Sequence, residues 1–362
     1  MNKKLFLRTA AFILAAVLLY PTTTNAISAQ SAIVMDGKTG RVLYEKQADR
    51  QSLIASTTKI MTAWIVCQEC NVLDIVTVPK EAVGIEGSSM NLAEGEELTV
   101  QDLLYGLMLL SGNDAAVALA IHCAGSLDAF VDRMNAQAQQ LQLTNTHFAN
   151  PHGLDARDHY STARDLAILA SHAMEDPVFA QTVSTKSITI GNRYLQNHNK
   201  LLWRLDGADG IKTGYTRAAG RILVSSASRD GRRLICVTIN DGNDWADHKK
   251  LLTEGFAQFS TQKLVCRHQQ VGTRCVLGGE KAEVALIAMD DFYYPVAPGE
   301  QISFLLPQRD FAFAPVVAGA DAGCVYICID QKPIGKVALE YGETIEIQTS
   351  EDPKLPKRWL GG

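Results

Sequence analysis

One segment constrains the fold more than any other. From Ser56 to about Gln68 the chain is apolar almost all round a helical wheel, with Ile60, Met61, Ala63, Trp64, Ile65 and Val66 leaving no polar stripe. A helix of that kind has no face suited to water and belongs in the middle of a domain, with other elements packed about it. The 362 residues, 47% of them apolar, suffice for one large domain and a smaller one.

The elements that would surround this helix can be read along the chain. Ala32–Met35 and Arg41–Tyr44 form a strand hairpin across Asp36-Gly37-Lys38-Thr39-Gly40. Thr99-Val100-Gln101-Asp102 has the pattern of a capping box, and Leu103, Leu104, Leu107 and Leu110 give the helix behind it an apolar face. Ser111-Gly112-Asn113 breaks the pattern before a helix through Ala115 to Cys123, and Leu127 to Leu141 predicts another with Phe130, Met134 and Leu141 on one side. Asn150-Pro151-His152-Gly153 is a loop, and Ser161–Asp165 caps a helix to Met174. Short strands then follow at 188–190, 210–216, 222–228 and 234–239, the last two joined by Arg229-Asp230-Gly231-Arg232, with a closing helix over 249–259. Beyond about Thr261 only strands and turns are expected. The fold class is α/β (α+β): an antiparallel sheet covered by helices over 27–260, then a small all-β domain over 261–350 and a short tail over 351–362.

Location is written at the start of the chain. Lys3, Lys4 and Arg8 precede an apolar run from Ala10 to Tyr20, and small residues lead to Ala26. This is the pattern of a signal peptide over 1–26, cleaved after Ala26; an uncleaved N-terminal anchor is the alternative, and both place the rest outside the cytoplasm. A net charge of −5 without any basic cluster excludes a nucleic-acid partner. Eight cysteines in an exported chain permit disulfides of unreadable connectivity. Cys67 and Cys70 lack further ligands for zinc and read as buried small hydrophobes, while Cys266 and Cys275 are candidates for a bridge in the second domain.

Ser56-Thr57-Thr58-Lys59 is an S-x-x-K tetrad at the start of the buried helix. Residues three apart share a helix face, so hydroxyl and amine can meet. The helix start favours a developing alkoxide, and burial disfavours the ammonium form of the lysine. The spacing alone is weak, because Ser260-Thr261-Gln262-Lys263 matches it at an expected helix end, where a solvated lysine is the ordinary reading. Two further elements single out the first tetrad. Ser111-Gly112-Asn113 lies between two apolar helices, where a loop can point a hydroxyl and an amide into a cleft. Lys212-Thr213-Gly214 lies on a strand, and Gly214 would let a substrate backbone approach it closely. A second Lys-Thr-Gly at Lys38–Gly40 is a hairpin turn.

The set S-x-x-K, S-x-N, K-T-G in this order resembles the penicillin-recognising acyl-serine enzymes, and among them the low-molecular-mass penicillin-binding proteins, the D-alanyl-D-alanine carboxypeptidases. Ser89-Met90-Asn91-Leu92, Leu110–Ala115, Asn150–Leu154 and His159–Ala163 extend the resemblance over roughly residues 30 to 350. It implies a β-lactamase/transpeptidase-like catalytic domain and a β-sandwich-like second domain. It also implies that Ser56 is the nucleophile, that Lys59 takes its proton, and that the backbone N–H groups of Ser56 and Tyr215 form the oxyanion hole. Ser111 and Lys212 would pass a proton to the leaving amine, Asn113 would hold the acyl-side amide, and Thr213 with Lys212, beside Gly214 and Tyr215, would bind the terminal carboxylate. The implied partners are peptidoglycan stem peptides and β-lactam antibiotics, with no cofactor and no metal.

Several departures bear on this. The middle motif is S-G-N, as in this carboxypeptidase group, where many lactamases have S-D-N. The arginine that some relatives place downstream of K-T-G is missing from 239–244, leaving Arg217, Arg221 or nothing in its role. Pro353 and Pro356 interrupt the final thirteen residues, so an amphipathic membrane helix is not expected there and membrane attachment stays open. A class A β-lactamase would need a Glu-x-x-Leu-Asn run between the second and third motifs, and none occurs. A non-catalytic wall-binding module would not need all three motifs intact. A zinc peptidase would need a carboxylate near His147 and His152, which read as polar loop residues.

Overall fold

The structure is a computed structural model describing residues 27–306 and 311–349; the expected signal peptide and C-terminal tail lie outside the described residues. The buried helix spans Lys59–Glu69, and every residue from Lys59 to Val66 is buried. Five helices touch it: Val100–Leu109, Asn113–Ala124, Leu127–Gln140, Ala163–Ala173 and Pro177–Ser184. Strand Ala208–Thr216 covers it as well. Its all-round apolar character is thus matched by all-round cover. Burying Ile60, Met61, Ile65 and Val66 contributes roughly 1.5–3 kcal/mol each.

A five-stranded sheet runs in the order Val42–Lys46, Ser31–Asp36, Arg232–Ile239, Gly220–Arg229, Ala208–Thr216. Tight turns join three of its four neighbouring pairs, which makes those pairs antiparallel. In the remaining pair Gly37 N bonds Arg233 O and Gln30 N bonds Ile239 O, so that register also runs in opposite directions. The turn at Asp230 and Gly231 has φ of 50° and 74°, the double left-handed geometry of a two-residue hairpin. Among the described residues no single helix is long and apolar enough to cross a membrane.

Several local expectations hold because their signals are local. Thr99 accepts from Asp102 N at 3.0 Å while Asp102 accepts from Thr99 N at 3.2 Å, completing the capping box. Thr162 caps Ala163–Ala173 through Asp165 N. Others need correction. The buried helix opens with a 3-10 turn over Ala55–Thr58, and α geometry begins only at Lys59. The closing helix starts at Asp244 rather than 249, because Asp244 and Asp247 give it the acidic first turn that suits a helix start. Ser260–Lys263 lies in strand Ser260–Val265, not at a helix end, and Lys263 is solvated and paired with Asp291 at 2.8 Å. Cys67 and Cys70 are half-buried rather than buried, and Cys266 and Cys275 are exposed and unbridged. The sequence also missed strands Ile75–Thr77 and Glu97–Thr99, too short to show alternation.

The chain divides into two compact units. The first holds Glu45–Ser225 and Cys236–Lys250 with the described part of Met1–Ile33; the second holds Val34–Tyr44, Ser226–Ile235 and the described part of Leu251–Gly362. Within the second unit Arg41 stacks over Phe259 and Tyr294 and pairs with Glu300, which ties the hairpin loop to the β region. From Ser260 onward the described residues form only strands and turns. A six-stranded sheet and the antiparallel pair Ser260–Val265/Phe292–Val296 build on a core that includes Val265, Leu286, Val325, Ile327 and Leu339.

Candidate active site

The 3-10 turn that presents Ser56 is held by its own neighbours. Thr57 Oγ1 donates to Ile54 O at 2.6 Å and Thr58 Oγ1 to Ala55 O at 2.8 Å, so two of three successive hydroxyls are engaged and Ser56 remains half-exposed. Ala55 takes a φ of +46°, a left-handed geometry that alanine adopts only where its surroundings impose it. His159 Nδ1 accepts from Ala149 N at 3.0 Å, so its proton is on Nε2, which donates to Thr58 Oγ1 at 2.6 Å. Burial holds this imidazole near pKa 4, in keeping with a neutral ring.

Lys59 is wholly buried. Its Nζ stands 3.1 Å from Ser56 Oγ, 2.6 Å from Asn113 Oδ1 and 2.5 Å from His152 O. Desolvation, aided by the nearby Lys212 and opposed by Asp114, pulls its pKa well below the ordinary lysine value. The His152 carbonyl is aimed by a compact loop: Asn150 Oδ1 accepts from Gly153 N at 2.7 Å, Asn150 Nδ2 donates to Leu154 O at 2.9 Å, and Thr62 Oγ1 donates to Pro151 O at 2.6 Å. Gly153 has φ +91°, and a Cβ there would fall 1.9 Å from Ala55 O. Loop and nucleophile turn are therefore in backbone contact.

The second motif turns at Ser111, whose φ is +65°, and hands over to helix Asn113–Ala124. Asn113 Nδ2 donates to Glu86 O at 2.5 Å and Asn113 N to Ser88 O at 2.7 Å. Asp114, only 1% exposed, collects Ser89 Oγ at 2.5 Å, Met90 N at 3.0 Å and Leu92 N at 3.1 Å. It thereby fastens the 88–92 loop, which brings Ser88 to the cleft.

The third motif lies on strand Ala208–Thr216. Lys212 is 1% exposed and donates to Thr213 O at 2.9 Å, and burial lowers its pKa to about 7. Gly214 has a different reason from the expected one. A Cβ there would sit 3.3 Å from Ile54 O and Thr57 N, so the missing side chain lets the strand close on the nucleophile turn. Ser56, Ser88, Ser111, His198, Thr213, Gly214 and Tyr215 line one cleft of about 670 Å³. Arg221 lines it too, its guanidinium held by Asp244 at 2.7–3.1 Å. Of the two arginines left open by sequence, Arg221 is the one at the cleft.

All eight expected residues thus converge, Lys59, Asn113 and Lys212 from beneath and the others along the cleft wall. Sequence reasoning missed the His152 carbonyl as an acceptor that positions Lys59, and also Asp114, His159 and Gly153. Only the flanking stretches at 110–115, 150–154 and 159–163 signalled them. His147 bonds Asp158 O at 2.5 Å, as a loop residue.

Comparison with known proteins agrees in both sequence and fold. A profile described as D-alanyl-D-alanine carboxypeptidase matches residues 20–243, and one described as the C-terminal domain of penicillin-binding protein 5 matches residues 259–347. The D-alanyl-D-alanine carboxypeptidase DacA of Haemophilus influenzae is 35% identical over 89% of this chain and 86% of its own length. DacF of Bacillus subtilis is 32% identical over 88% and 85%. The crystal structure of penicillin-binding protein 5 from Haemophilus influenzae superposes with a TM-score of 0.77 at 33% identity, covering 90% of this chain and 99% of that one. On the pairing of Ser56 with the buried Lys59, the matching fold and these relatives, the chain belongs to the D-alanyl-D-alanine carboxypeptidase family of serine peptidases.

Proposed function

We propose that the protein removes the terminal D-alanine from peptidoglycan pentapeptide stems through an acyl-enzyme on Ser56, and that β-lactams acylate the same hydroxyl. The observation that carries this reading is the Lys59 amine, fully buried and 3.1 Å from Ser56 Oγ. Burial lowers its pKa well below that of a free lysine, which favours the neutral amine that can accept the Ser56 proton.

In this mechanism Ser56 Oγ attacks the carbonyl carbon between the two D-alanines while its proton passes to Lys59. The oxyanion faces the backbone N–H groups of Ser56 and Tyr215. As the tetrahedral intermediate collapses, the leaving amine takes a proton relayed from Lys212 through Ser111, and D-alanine departs. Asn113 orients the acyl-side amide, and Thr213 with Lys212 holds the terminal carboxylate. Arg221, oriented by Asp244 on the same cleft, adds the further cation for that carboxylate. Once D-alanine has left, Lys59 gives up the proton it took and Lys212 regains the one it lost, by exchange with solvent. Water then hydrolyses the ester with the neutral Lys59 as base. With a β-lactam the ring opens but no fragment departs, so the ester lingers.

The catalytic domain is assigned to 27–260 and the β domain to 261–350, outside the cytoplasm after cleavage following Ala26. The test is D-alanine release from a pentapeptide alongside labelling by a fluorescent penicillin. Wild-type protein should do both and Ser56→Ala neither. Full release by the alanine variant would sink the nucleophile assignment, and label lost within seconds would point to a lactamase.

A further inference from the structure

The chemistry of Ser56 uses none of the eight cysteines, yet three of them gather in one place. Cys67 lies in the last turn of helix Lys59–Glu69, and Cys70 caps that helix with its N–H on Val66 O at 3.0 Å. Cys123 lies in the last turn of helix Asn113–Ala124. The two helices pack together, and at their C-terminal ends each of the Cys70 and Cys123 thiols is the largest influence on the other's acidity, lowering the pKa of Cys70 and raising that of Cys123. Cys123 Sγ is 3.6 Å from Glu69 Oε2, the neighbour of Cys70, and 3.7 Å from Arg133 Nη1. Arg133 also donates to Cys123 O at 3.1 Å and pairs with Glu69. Both cysteine backbones are therefore fixed, one by a helix-capping bond and the other by an arginine that also holds the first helix. Both residues are half-buried, which leaves them reachable from solvent.

We propose that Cys70 and Cys123 form a covalent crosslinking site, closed to a disulfide by thiol–disulfide exchange with an oxidised dithiol protein or a small disulfide. Cys70, as thiolate, attacks one sulfur of the oxidant's S–S bond; that bond breaks and its second sulfur leaves as a thiolate. Cys123 then loses its proton and attacks the Cys70 sulfur, expelling the remaining oxidant thiolate. One S–S bond forms in the protein and one breaks in the oxidant, which gains the two electrons and two protons that the cysteines lose.

The environment sorts the roles of the three thiols. Cys123 lowers the pKa of the Cys70 thiol, the better first nucleophile, and Cys70 in turn raises that of Cys123. Burial pushes the Cys67 thiol up, which makes it the poorer competitor for Cys70. The bond would join the far ends of the two helices whose near ends bring Lys59 and Asn113 within 2.6 Å. It would close the chain between residues 70 and 123 and restrict the unfolded state accordingly.

The test uses the full chain, incubated with oxidised or reduced glutathione, trapped with iodoacetamide and digested without reduction. The oxidised sample should yield one linked pair of peptides carrying Cys70 and Cys123, two hydrogens lighter than the separate peptides, with Cys67 alkylated. Oxidation should also raise the melting temperature by roughly 5–10 °C, a gain missing from Cys123→Ser. Alkylation of both Cys70 and Cys123 in the oxidised sample would overturn the proposal. So would a Cys67–Cys70 bond, or a bond between two chains. The peptide map is read on wild-type protein and does not depend on any variant folding.

Discussion

Replacing Gly153 by alanine tests whether the catalytic lysine depends on a loop that carries no catalytic side chain. The added Cβ would lie 1.9 Å from Ala55 O, 2.5 Å from Ala55 C and 2.9 Å from Thr58 Oγ1, whereas ordinary contact begins at 3.4 Å. Two backbones must therefore part by about 1.5 Å. One of them presents Ser56 and the other aims the His152 carbonyl at Lys59. A non-glycine residue at φ +91° costs about 1–3 kcal/mol and the overpacking a similar amount, so a destabilisation of about 2–6 kcal/mol is expected. A displacement of an ångström at a reacting pair slows chemistry by about 100-fold. Stopped-flow acylation by a fluorescent penicillin measures the second effect and thermal denaturation the first. A folded Gly153→Ala protein that acylates at the wild-type rate would refute the claim that this loop positions Lys59.

Other outcomes follow from the same geometry. Burial brings the folded-state pKa of Lys212 to about 7 from 10.5, so between those values the unfolded chain binds more protons and stability rises with pH; the cost is full below about 7 and gone above 10.5. Lys212→Met should therefore melt higher than wild type at about pH 6, with the margin closing towards pH 10.5, a trend that calorimetry across pH checks. Deprotonation of the same lysine should give the kcat/KM profile for a carboxylate-ended peptide an alkaline limb near pH 7, which Lys212→Arg should remove. Arg221→Gln should lower kcat/KM for free carboxylate-ended peptides by about 10–100-fold and leave amidated ones little changed. Asp114→Asn should cost about 2–4 kcal/mol in urea unfolding, since Ser89 Oγ and the Met90 and Leu92 N–H groups lose a charged acceptor.

What could be read in the sequence was whatever a residue type at a fixed spacing betrays. Ser56 and Lys59 are one helical turn apart, Thr99 and Asp102 form a capping box within four residues, and the run from Ile60 to Val66 declares its own burial. The partners of Lys59 were less legible. Asn113 lies 54 residues away and could be named from its motif, but the His152 contact spans 93 residues and uses a carbonyl, which every residue possesses. Gly214 was read as room for substrate and proves to be room for the nucleophile turn, because sequence does not say which backbone a glycine admits. The start of helix Asp244–Gln258 was hidden for a related reason: Asp241-Gly242-Asn243-Asp244 has turn chemistry and capping chemistry at once.

The three oxygen neighbours of Lys59 can be counted against its valence. An amine has two N–H bonds and one lone pair; an ammonium has three N–H bonds and none. With the carbonyl oxygens of Asn113 and His152 at 2.6 and 2.5 Å taking the two hydrogens, the lone pair of the neutral form is left for Ser56 Oγ at 3.1 Å, whose proton it can receive. After transfer the third hydrogen points back at the same oxygen, and every donor still has an acceptor. The proton thus moves along a single line between two satisfied states, with no heavy atom obliged to shift and no solvent needed to complete either one.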